Sequence, residues 1–350
     1  SAAPTLGSIA VLLLGGVIAD RTSRKRVMWI AETVSMLSQL TMAYLFITGH
    51  ASVPALALLM LINGVAIAFH APAATGLIVQ LVDRSQLQSV NALLGVARNG
   101  AMAGGAALGG VLVAAVGAGW TLALDGLTFG LSALLVYTMR PRVQTPAAHA
   151  SILNDLRLGW REFTRHTWLW VIVVQFSLIV AAGEAVHGLI GPAYTLDYMG
   201  GAVAWGAIAS ALGVGTLLGG LAGIKIRPRY PMRTATLLVF CFAGIAAAML
   251  FAAPLWIVIL AALLSGFSGQ IFGVLWYTCL QMKVPSEMLS RVSAYDHLGS
   301  IALAPLGVVA GGLLYENLGA EVTLLIAVAT VVVPTALALC VRDVRNMTLD

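Results

Sequence analysis

Long apolar segments separated by short polar turns repeat along almost the whole chain. Each segment is long enough to cross the hydrocarbon core of a bilayer, which takes about 20 residues of α-helix. The segments are also too long and too evenly apolar to be strands of a membrane barrel. The pattern therefore predicts an all-α integral membrane protein with eleven spans. They lie at residues 5–19, 27–48, 54–72, 90–116, 120–139, 167–190, 203–224, 232–252, 254–278, 293–314 and 320–341.

The placement of Lys and Arg orients these predicted spans. All but one of the 19 Lys and Arg lie in alternate turns or in the tail after residue 341, and the turns between them hold none. Basic loops stay on the cytoplasmic side of a membrane, so every turn is assigned a side. The exception is Arg98, which lies inside a predicted span. The basic turns are 20–26, 73–89, 140–166, 225–233 and 279–292.

Composition excludes an ordinary soluble protein. Of the 350 residues, 60% are hydrophobic and 9% are charged, whereas soluble domains have roughly 25% charged residues. The net charge of +5 is spread over separate turns rather than gathered on one face, which argues against a nucleic-acid partner. The three cysteines lack the spacing of metal or redox sites. The expected surroundings are a lipid bilayer, with no cofactor and no metal.

Two glycine pairs recur at a nearly constant distance along the chain. Residues 109–110 recur at 311–312, a shift of 202, and residues 15–16 recur at 219–220, a shift of 204. Parallel repeats of this kind predict two six-helix bundles related by an axis along the membrane normal. The same shift places the partner of the 167–190 span before residue 1. We therefore expect eleven of twelve spans, with the first one missing.

The predicted spans divide the chain into three parts. Residues 1–139 form an amino-terminal bundle with spans 2 to 6, and residues 167–350 form a carboxy-terminal bundle with spans 7 to 12. Residues 140–166 form a cytoplasmic linker whose pattern predicts an amphipathic helix in the membrane surface. A calmodulin-like target helix is the less favoured interpretation. The apolar stripe is Ile152, Leu156, Trp160 and Phe163, opposite Asp155, Arg157, Arg161 and Arg165.

The turn after the first run has an uncommon order of residues. Gly16 is followed after three residues by Asp20-Arg21, and then by the basic cluster Arg24-Lys25-Arg26. The glycine allows two helices to approach closely, and Asp20 can lie against helix amide ends or a nearby cation. This turn resembles the signature between spans two and three of the major facilitator superfamily. The whole chain resembles the bacterial exporter branch of that superfamily, with its enterobactin-exporter-like and macrolide-efflux-like proteins.

The chain departs from the family pattern at several positions. Ser23 stands where glycine is usual, and in the second half Ile224 replaces the acid. A weaker likeness is to the exporter motif of span five, where Ala106 takes the position of the usual proline. A pliable seam between the bundles and ordinary packing of small residues are equally good interpretations. The residues of this motif are Gly105, Ala106, Gly109 and Gly110.

The resemblance also implies a role for the turn. In the family this turn docks near the start of the eleventh span and holds the outward-facing state. It is thus a candidate conformational latch, with Arg291 or Asp296 as the partner of Asp20. Two other acids are assigned structural roles. We interpret Glu32 as a surface partner of the nearby basic residues, and Asp125 as a helix contact.

Polar side chains inside the predicted spans are candidates for function, because a charge at the bilayer centre costs at least about 2.5–3.5 kcal/mol. Arg98 either binds an anionic substrate or pairs with a buried acid. Glu184 and His187 lie one turn apart, and either carry a coupling proton or make a polar contact near the outer mouth. Asn63 and His70 share a helix face, and are either substrate contacts or partners in buried hydrogen bonds.

Together these features predict a secondary active transporter that works by alternating access. The expected function is proton-coupled export (antiport) of amphipathic small molecules, of drug or siderophore type. The protein would be a monomer in the bacterial inner membrane. An importer or facilitator of a nutrient is the alternative, because Ala106 replaces the proline. A membrane enzyme is a distant alternative, since only Glu184 and His187 approach a catalytic cluster, and we expect no enzymatic activity.

Overall fold

The computed structural model describes the backbone of residues 2–142 and 151–349, and the side chains of residues 11–102, 104–105, 108–142 and 151–349. All regular structure within these ranges is helical, and no strand occurs there, so the predicted all-α fold is confirmed. The α-helices are α1 (Ala2–Arg21), α2 (Arg24–Ile47), α3 (Val53–Leu81), α4 (Leu87–Thr138), α5 (Ile152–Arg165), α6 (Thr167–Ala185), α7 (Gly191–Tyr198), α8 (Ala202–Gly223), α9 (Pro231–Val239), α10 (Gly244–Leu250), α11 (Leu255–Lys283), α12 (Leu289–Ile301), α13 (Ala304–Cys340) and α14 (Arg342–Arg345). Short 3₁₀ turns occupy Arg84–Gln86, Phe240–Ala243 and Ser286–Met288, and a π-helical turn joins α6 to α7 at Val186–Ile190.

Many of these helices are long and apolar enough to cross a bilayer. Within the described residues, eight helical segments meet that requirement by length and composition. The last of them contains two of the predicted spans, so the predicted count of eleven remains a prediction. The segments are Arg24–Ile47, Val53–Leu81, Leu108–Thr138, Thr167–Tyr198, Ala202–Gly223, Pro231–Leu250, Leu255–Lys283 and Ser286–Cys340.

Two glycines interrupt long helices at equivalent places in the sequence repeat. Gly117 has φ 83° inside α4, and Gly319 has φ 80° inside α13. Positive φ is readily adopted only by glycine, so each residue turns the chain where a predicted span ends. The two glycines are 202 residues apart, which is the shift of the repeat. The backbone thus repeats with the same period as the sequence.

The chain forms two compact units. Unit 1 consists of Ser1–Leu87, Met102–Phe163 and Val284–Leu298, and unit 2 consists of Gln88–Ala101, Thr164–Lys283 and Gly299–Asp350. Each unit therefore includes a short helical stretch from the other half of the sequence. The predicted division into two bundles and a linker follows the spans instead, and it remains a prediction.

Each unit has an apolar core of its own. In unit 1 the helices α1, α2 and α3 pack through small and branched side chains, among them Ala19, Val27 and Ala73. In unit 2 the core gathers residues of α6 to α8, α10, α11 and α13, such as Ile208 and Met249. Small residues let the helices approach closely, which is how membrane helices gain packing energy without a hydrophobic driving force.

The linker helix α5 corrects the predicted assignment of its faces. The buried residues of α5 are Asp155, Gly159, Glu162 and Phe163, whereas Trp160 is 52% exposed. Asp155 therefore lies on the buried face with Phe163, not on the opposite, solvated face. The physical reason is that two guanidinium groups meet its carboxylate, as described below. Residues 143–150 of the predicted linker lie outside the described part of the chain.

Candidate functional site

Asp20, the last acid of α1, lies against the start of α12. Its carboxylate accepts hydrogen bonds from the backbone N–H groups of Ser290 (3.3 Å) and Arg291 (3.1 Å). These two N–H groups belong to the first turn of α12, where the helix provides no partners for them and the helix dipole favours a negative charge. Asp20 is only 9% exposed. It therefore satisfies a helix end that lies 270 residues away in sequence.

Arg24 lies beside Asp20 at the start of α2, and all three of its guanidinium nitrogens donate hydrogen bonds. Its Nη2 donates to Asp20 Oδ1 at 2.7 Å, and its Nε donates to Ser290 Oγ at 3.0 Å. Its Nη1 donates to the Gly76 carbonyl at 2.9 Å, and Nη2 also donates to the Ser286 carbonyl. The planar guanidinium fork fixes the geometry of several acceptors at once, which a lysine cannot do.

Arg291 extends the network from α12 to the linker helix. Its Nε donates to Asp20 Oδ2 at 3.2 Å, and its Nη1 donates to Asp155 Oδ1 at 3.1 Å. Arg21 Nε then contacts Asp155 Oδ2 at 2.5 Å. Arg291 is 2% exposed and Asp155 is 0% exposed, so both would be costly to bury without these partners. We call Asp20, Arg21, Arg24, Asp155 and Arg291 the charge cluster.

Gly16 makes the approach of α12 to α1 possible. A Cβ atom at this position would lie 2.7 Å from the Ser290 carbonyl oxygen and 2.8 Å from the Cβ of Ala294. Both distances are too short for real contacts, so a larger residue would push α12 away. The amide groups that bind Asp20 would move with it. Glycine at this point of the signature is therefore a packing requirement.

The linker helix also packs on α12 through aromatic side chains. The Tyr295 hydroxyl donates to the Leu156 carbonyl at 2.9 Å, and the Trp160 and Tyr295 rings meet edge to face at 5.5 Å. Phe163 stacks beside Trp160 at 5.6 Å. These contacts hold α5 in the place where Asp155 reaches the two arginines.

The other residues of the predicted latch lie around the charge cluster. Lys25 Nζ lies 5.2 Å from the centre of the Tyr137 ring, and the backbone N–H of Arg26 donates to Ser23 Oγ. Ser23 therefore caps α2, which gives a reason for serine where the family pattern has glycine. Asp296 is buried in α12, but the ion-pair partner of Asp20 on that helix is Arg291. The contribution of Asp155 was not anticipated.

Unit 2 contains a neutral counterpart of this arrangement at the start of α4. Gln88 Nε2 donates to the Gly223 carbonyl at 2.9 Å and to the Ile226 carbonyl. Asn91, one turn later, donates to Thr278 Oγ1 at 3.1 Å and to Gln281 Oε1 at 2.8 Å. No acid takes part among these described residues. A signal in the sequence was available, because Gln88, Asn91 and Asn99 recur on one helix face.

Arg98 lies on the exposed side of α4. In the described part of the chain it makes no hydrogen bond or ion pair, whereas its neighbour Asn99 donates to Gln270 Oε1 at 2.6 Å. Its cationic head is therefore not neutralised by a described acid. Both interpretations of Arg98 remain predictions, although the described residues provide no buried acid as its partner.

Glu184 and His187 lie on either side of the transition from α6 to the π-helical turn. His187 lines a cavity of about 210 Å³ within unit 2, together with Thr216, Phe242 and Ser265. Its ring lies 6.2 Å from that of Trp205. Glu184 is exposed, and no hydrogen bond or ion pair links it to a described residue. π-Helical turns are frequent at functional sites, which agrees with His187 facing a cavity.

His70 and Glu32 form a pair that the sequence interpretation missed. His70 Nε2 lies 3.0 Å from Glu32 Oε1, and Glu32 is 9% exposed. Glu32 is thus not the surface partner of the basic turn residues, because Arg24 is already engaged with other acceptors. Asn63 is half-buried, and its Oδ1 is buried without a hydrogen-bond partner among the described residues. The sequence placed His70 with Asn63, whereas the structure pairs it with Glu32.

The span-five motif lies in an open part of α4. No described atom lies within 4 Å of a Cβ built on Gly105, Gly109 or Gly110. The side chain of Ala106 lies outside the described part of the structure. The predicted packing role of this motif therefore remains a prediction.

No group of three or more His, Cys, Asp or Glu that could bind a metal ion occurs among the described residues.

The chain is similar to known membrane transporters. The family model described as Major Facilitator Superfamily matches residues 1–296. The enterobactin exporter EntS of Escherichia coli O127:H6 (strain E2348/69 / EPEC) is 27% identical over 311 residues, which covers 85% of this chain and 73% of that protein. EntS of Shigella dysenteriae serotype 1 (strain Sd197) matches with the same identity and coverage.

Solved structures share the fold at low sequence identity. A bacterial homologue of the iron transporter ferroportin, in an outward-facing state, matches with a TM-score of 0.74 at 15% identity. That match covers 96% of this chain and 88% of the other. The proton:xylose symporter XylE matches with a TM-score of 0.72 at 15% identity, over 96% of this chain and 83% of the other.

Proposed function

Because the chain belongs to the major facilitator superfamily, whose members are small-molecule transporters rather than enzymes, we propose that it exports amphipathic small molecules against a proton gradient. The observation that carries the direction of transport is the match to enterobactin exporters over 85% of this chain. The proposed cargo class is therefore an amphipathic compound of siderophore or drug type. The proposed location is the bacterial inner membrane, with the monomer as the working unit.

In the proposed cycle the charge cluster is a conformational latch. Its two carboxylates and three guanidinium groups alternate, and all but Arg21 are nearly inaccessible to solvent. Separating them would expose buried charges to water and break several charge-assisted hydrogen bonds together. A cluster of this kind gives two discrete states, paired and separated, rather than a continuum. Substrate and protons would act by binding one of these states better than the other.

The proposed substrate contacts lie in two places. In unit 2, the cavity beside His187 combines an aromatic ring, hydroxyl groups and apolar side chains, which suits a compound with polar and apolar faces. Arg98 would attract an anionic group of the cargo, and Asn63 Oδ1 could accept a hydrogen bond from it, because this oxygen has no partner among the described residues. For the coupling proton, the sequence predicts Glu184 with His187 as a relay, and the contact between Glu32 and His70 provides a rival site in unit 1.

The first experiment follows export directly. Cells that express the gene encoding this chain are loaded with a lipophilic fluorescent dye, and dye loss is followed with and without a protonophore. Secretion of enterobactin is measured in parallel, because an exporter with narrow substrate specificity would not transport the dye. Loss of either compound that stops with the protonophore supports the proposal. Failure of both exports despite good membrane expression contradicts it, and accumulation of a probe inside the cells would indicate import.

A further inference from the structure

The pair formed by Glu32 and His70 differs from the other acidic contacts in the described part of the chain. His70 Nε2 meets Glu32 Oε1 at 3.0 Å, but Glu32 Oε2 is buried and has no hydrogen-bond partner among the described residues. Buried carboxylate oxygens are normally hydrogen-bonded, because an unpaired one loses its hydration without compensation. This oxygen therefore requires a partner that the described side chains do not supply.

Both residues lie inside helices that are long and apolar enough to span a membrane. Glu32 follows the start of α2 by eight residues, and His70 precedes the end of α3 by eleven. At about 1.5 Å per residue, Glu32 lies some 12 Å along α2 from Arg24, and His70 lies some 9 Å along α3 from Gly76, which Arg24 binds. The adjacent residues Ala31 and Phe69 line an apolar cavity of about 420 Å³. An apolar cavity therefore adjoins both helices close to the pair.

Most other charged groups on α1, α2 and α4 have partners of their own among the described residues. On α1 and α2, Asp20 and Arg24 bind each other, and Lys25 lies over Tyr137 of α4. On α4, Asp125 accepts a hydrogen bond from Gln39. The remaining charges on these elements are Arg21, which binds Asp155, Arg26 at the exposed start of α2, and Arg98, which lies in the part of α4 that belongs to unit 2. Among the described residues, His70 alone forms an ion pair or hydrogen bond with the Glu32 carboxylate.

We propose that Glu32 and His70 form the proton-binding pair of this transporter, an assignment that rests on the proposed proton-driven export. With Glu32 ionised and His70 neutral, the pair carries one negative charge. One proton from the aqueous phase makes it neutral, whether the proton settles on the carboxylate or on the imidazole, and its release restores the charge. The imidazole nitrogen and the carboxylate oxygen meet at 3.0 Å, so either group of the pair can carry the proton.

The position of the pair connects it to the charge cluster. Glu32 lies on the same helix as Arg24 and about two turns from it, which places both on one face of α2. His70 lies on α3, the helix whose Gly76 carbonyl accepts from Arg24. A change of charge at the pair would therefore act on the two helices that hold Arg24. Glu184, in contrast, has no imidazole or cation within hydrogen-bonding distance among the described residues.

The test measures protonation directly by infrared spectroscopy. Purified protein in liposomes is titrated between about pH 5 and about pH 8, across the ordinary titration range of Glu and His, while the carboxyl C=O band is followed. We expect a titrating band that disappears in Glu32→Gln and shifts its midpoint in His70→Gln. It should persist in the control Asp125→Asn, which removes an acid bonded to an amide instead. A band that survives in Glu32→Gln, or that disappears in Glu184→Gln instead, would overturn the assignment.

A transport measurement separates this inference from the proposed function. If export by the unmodified protein stops with a protonophore, Glu32→Gln should export at a rate that the protonophore no longer changes. Export by Glu32→Gln that still follows the proton gradient overturns the assignment and leaves proton-driven export intact. If the protonophore does not change export by the unmodified protein, the proposal of proton-driven export is wrong. The infrared band alone then decides whether the pair binds a proton. If Glu32→Gln does not insert into the membrane, the same transport measurement is made on His70→Gln.

Discussion

The start of α12 in unit 1 and the start of α4 in unit 2 are two versions of one structural element. Each follows a short 3₁₀ turn, Ser286–Met288 or Arg84–Gln86, and the two lie 202 residues apart. Each also meets a turn that follows a glycine pair of the repeat. In unit 1 the turn presents a carboxylate and one guanidinium group to α12, whereas in unit 2 it presents only backbone carbonyls to Gln88.

The difference shows what happens when a signature loses its acid. Ile224 stands where the first copy has Asp20, so the second turn has no side-chain acceptor. The carbonyls of Gly223 and Ile226 take its place, and the donor becomes the Gln88 amide instead of the backbone N–H groups of the facing helix. Both copies have hydrogen bonds between the turn and the facing helix, but only the copy in unit 1 has charged groups in this contact. We therefore expect only the charged copy to respond strongly when a partner is removed, because a buried charge left alone costs about 3–5 kcal/mol.

The largest expected effect follows from neutralising the charged copy. In Asp20→Asn the amide keeps the shape of the carboxylate, but Arg24 and Arg291 lose their shared counter-charge. We expect dye or siderophore export to fall at least about ten-fold while membrane insertion stays normal, because each 1.4 kcal/mol of lost preference changes an equilibrium ten-fold. Export assays on cells with matched membrane expression check this.

The matched control is Asp83→Asn, which removes an acid from an ion pair outside the charge cluster. Asp83 binds Arg142 at 2.6 Å, but both side chains are well exposed, at 64% and 68%. Exposed pairs of this kind contribute only about 0.2–1 kcal/mol. Export should therefore stay close to that of the unmodified protein. Unchanged export in Asp20→Asn would refute the role of the charge cluster as a latch.

A smaller effect is expected in the neutral copy. Gln88→Leu leaves the two carbonyls that Gln88 binds without their side-chain donor, a loss of about 1–3 kcal/mol for buried groups. The apparent Tm of the purified protein in detergent should fall, and export should fall less than in Asp20→Asn. Gln86→Leu is the control, because Gln86 is exposed and lies two residues earlier. If Gln88→Leu abolished export as completely as Asp20→Asn, the charge would not be what distinguishes the two copies.

The features of the two copies differ in how far the sequence alone could predict them. Spans, turns and repeat follow from local patterns, since about 20 apolar residues can cross a bilayer only as a helix. The close approach at Gly16 followed from the residues of the signature, whereas Arg291 as a partner of Asp20 was expected only from the family resemblance. The structure adds that Asp20 binds both a helix end and Arg291.

Contacts between distant segments were beyond such patterns. Asp155 was assigned to the solvated face of α5, because a charged residue on an amphipathic helix usually faces water. Its burial depends on Arg21 and Arg291, which lie 134 and 136 residues away. Glu32 was likewise assigned to nearby basic residues, whereas its partner His70 lies on another helix. In both cases the partner decided whether the acid was buried, and spacing along one helix could not identify that partner.

The smallest expected effect tests whether the charge or the hydroxyl group organises the start of α12. Ser290→Ala removes one acceptor of Arg24, but the guanidinium keeps Asp20, Gly76 and Ser286 as acceptors, so we expect a loss of about 1 kcal/mol. The apparent Tm should fall slightly and export by less than about two-fold. In the control Ser286→Ala, the lost hydroxyl only binds Glu287 at the surface, so both measurements should be unchanged. A loss in Ser290→Ala as large as that in Asp20→Asn would contradict the charge-based account. The hydroxyl group would then position Arg24, and the two copies would differ by a side-chain contact rather than by charge.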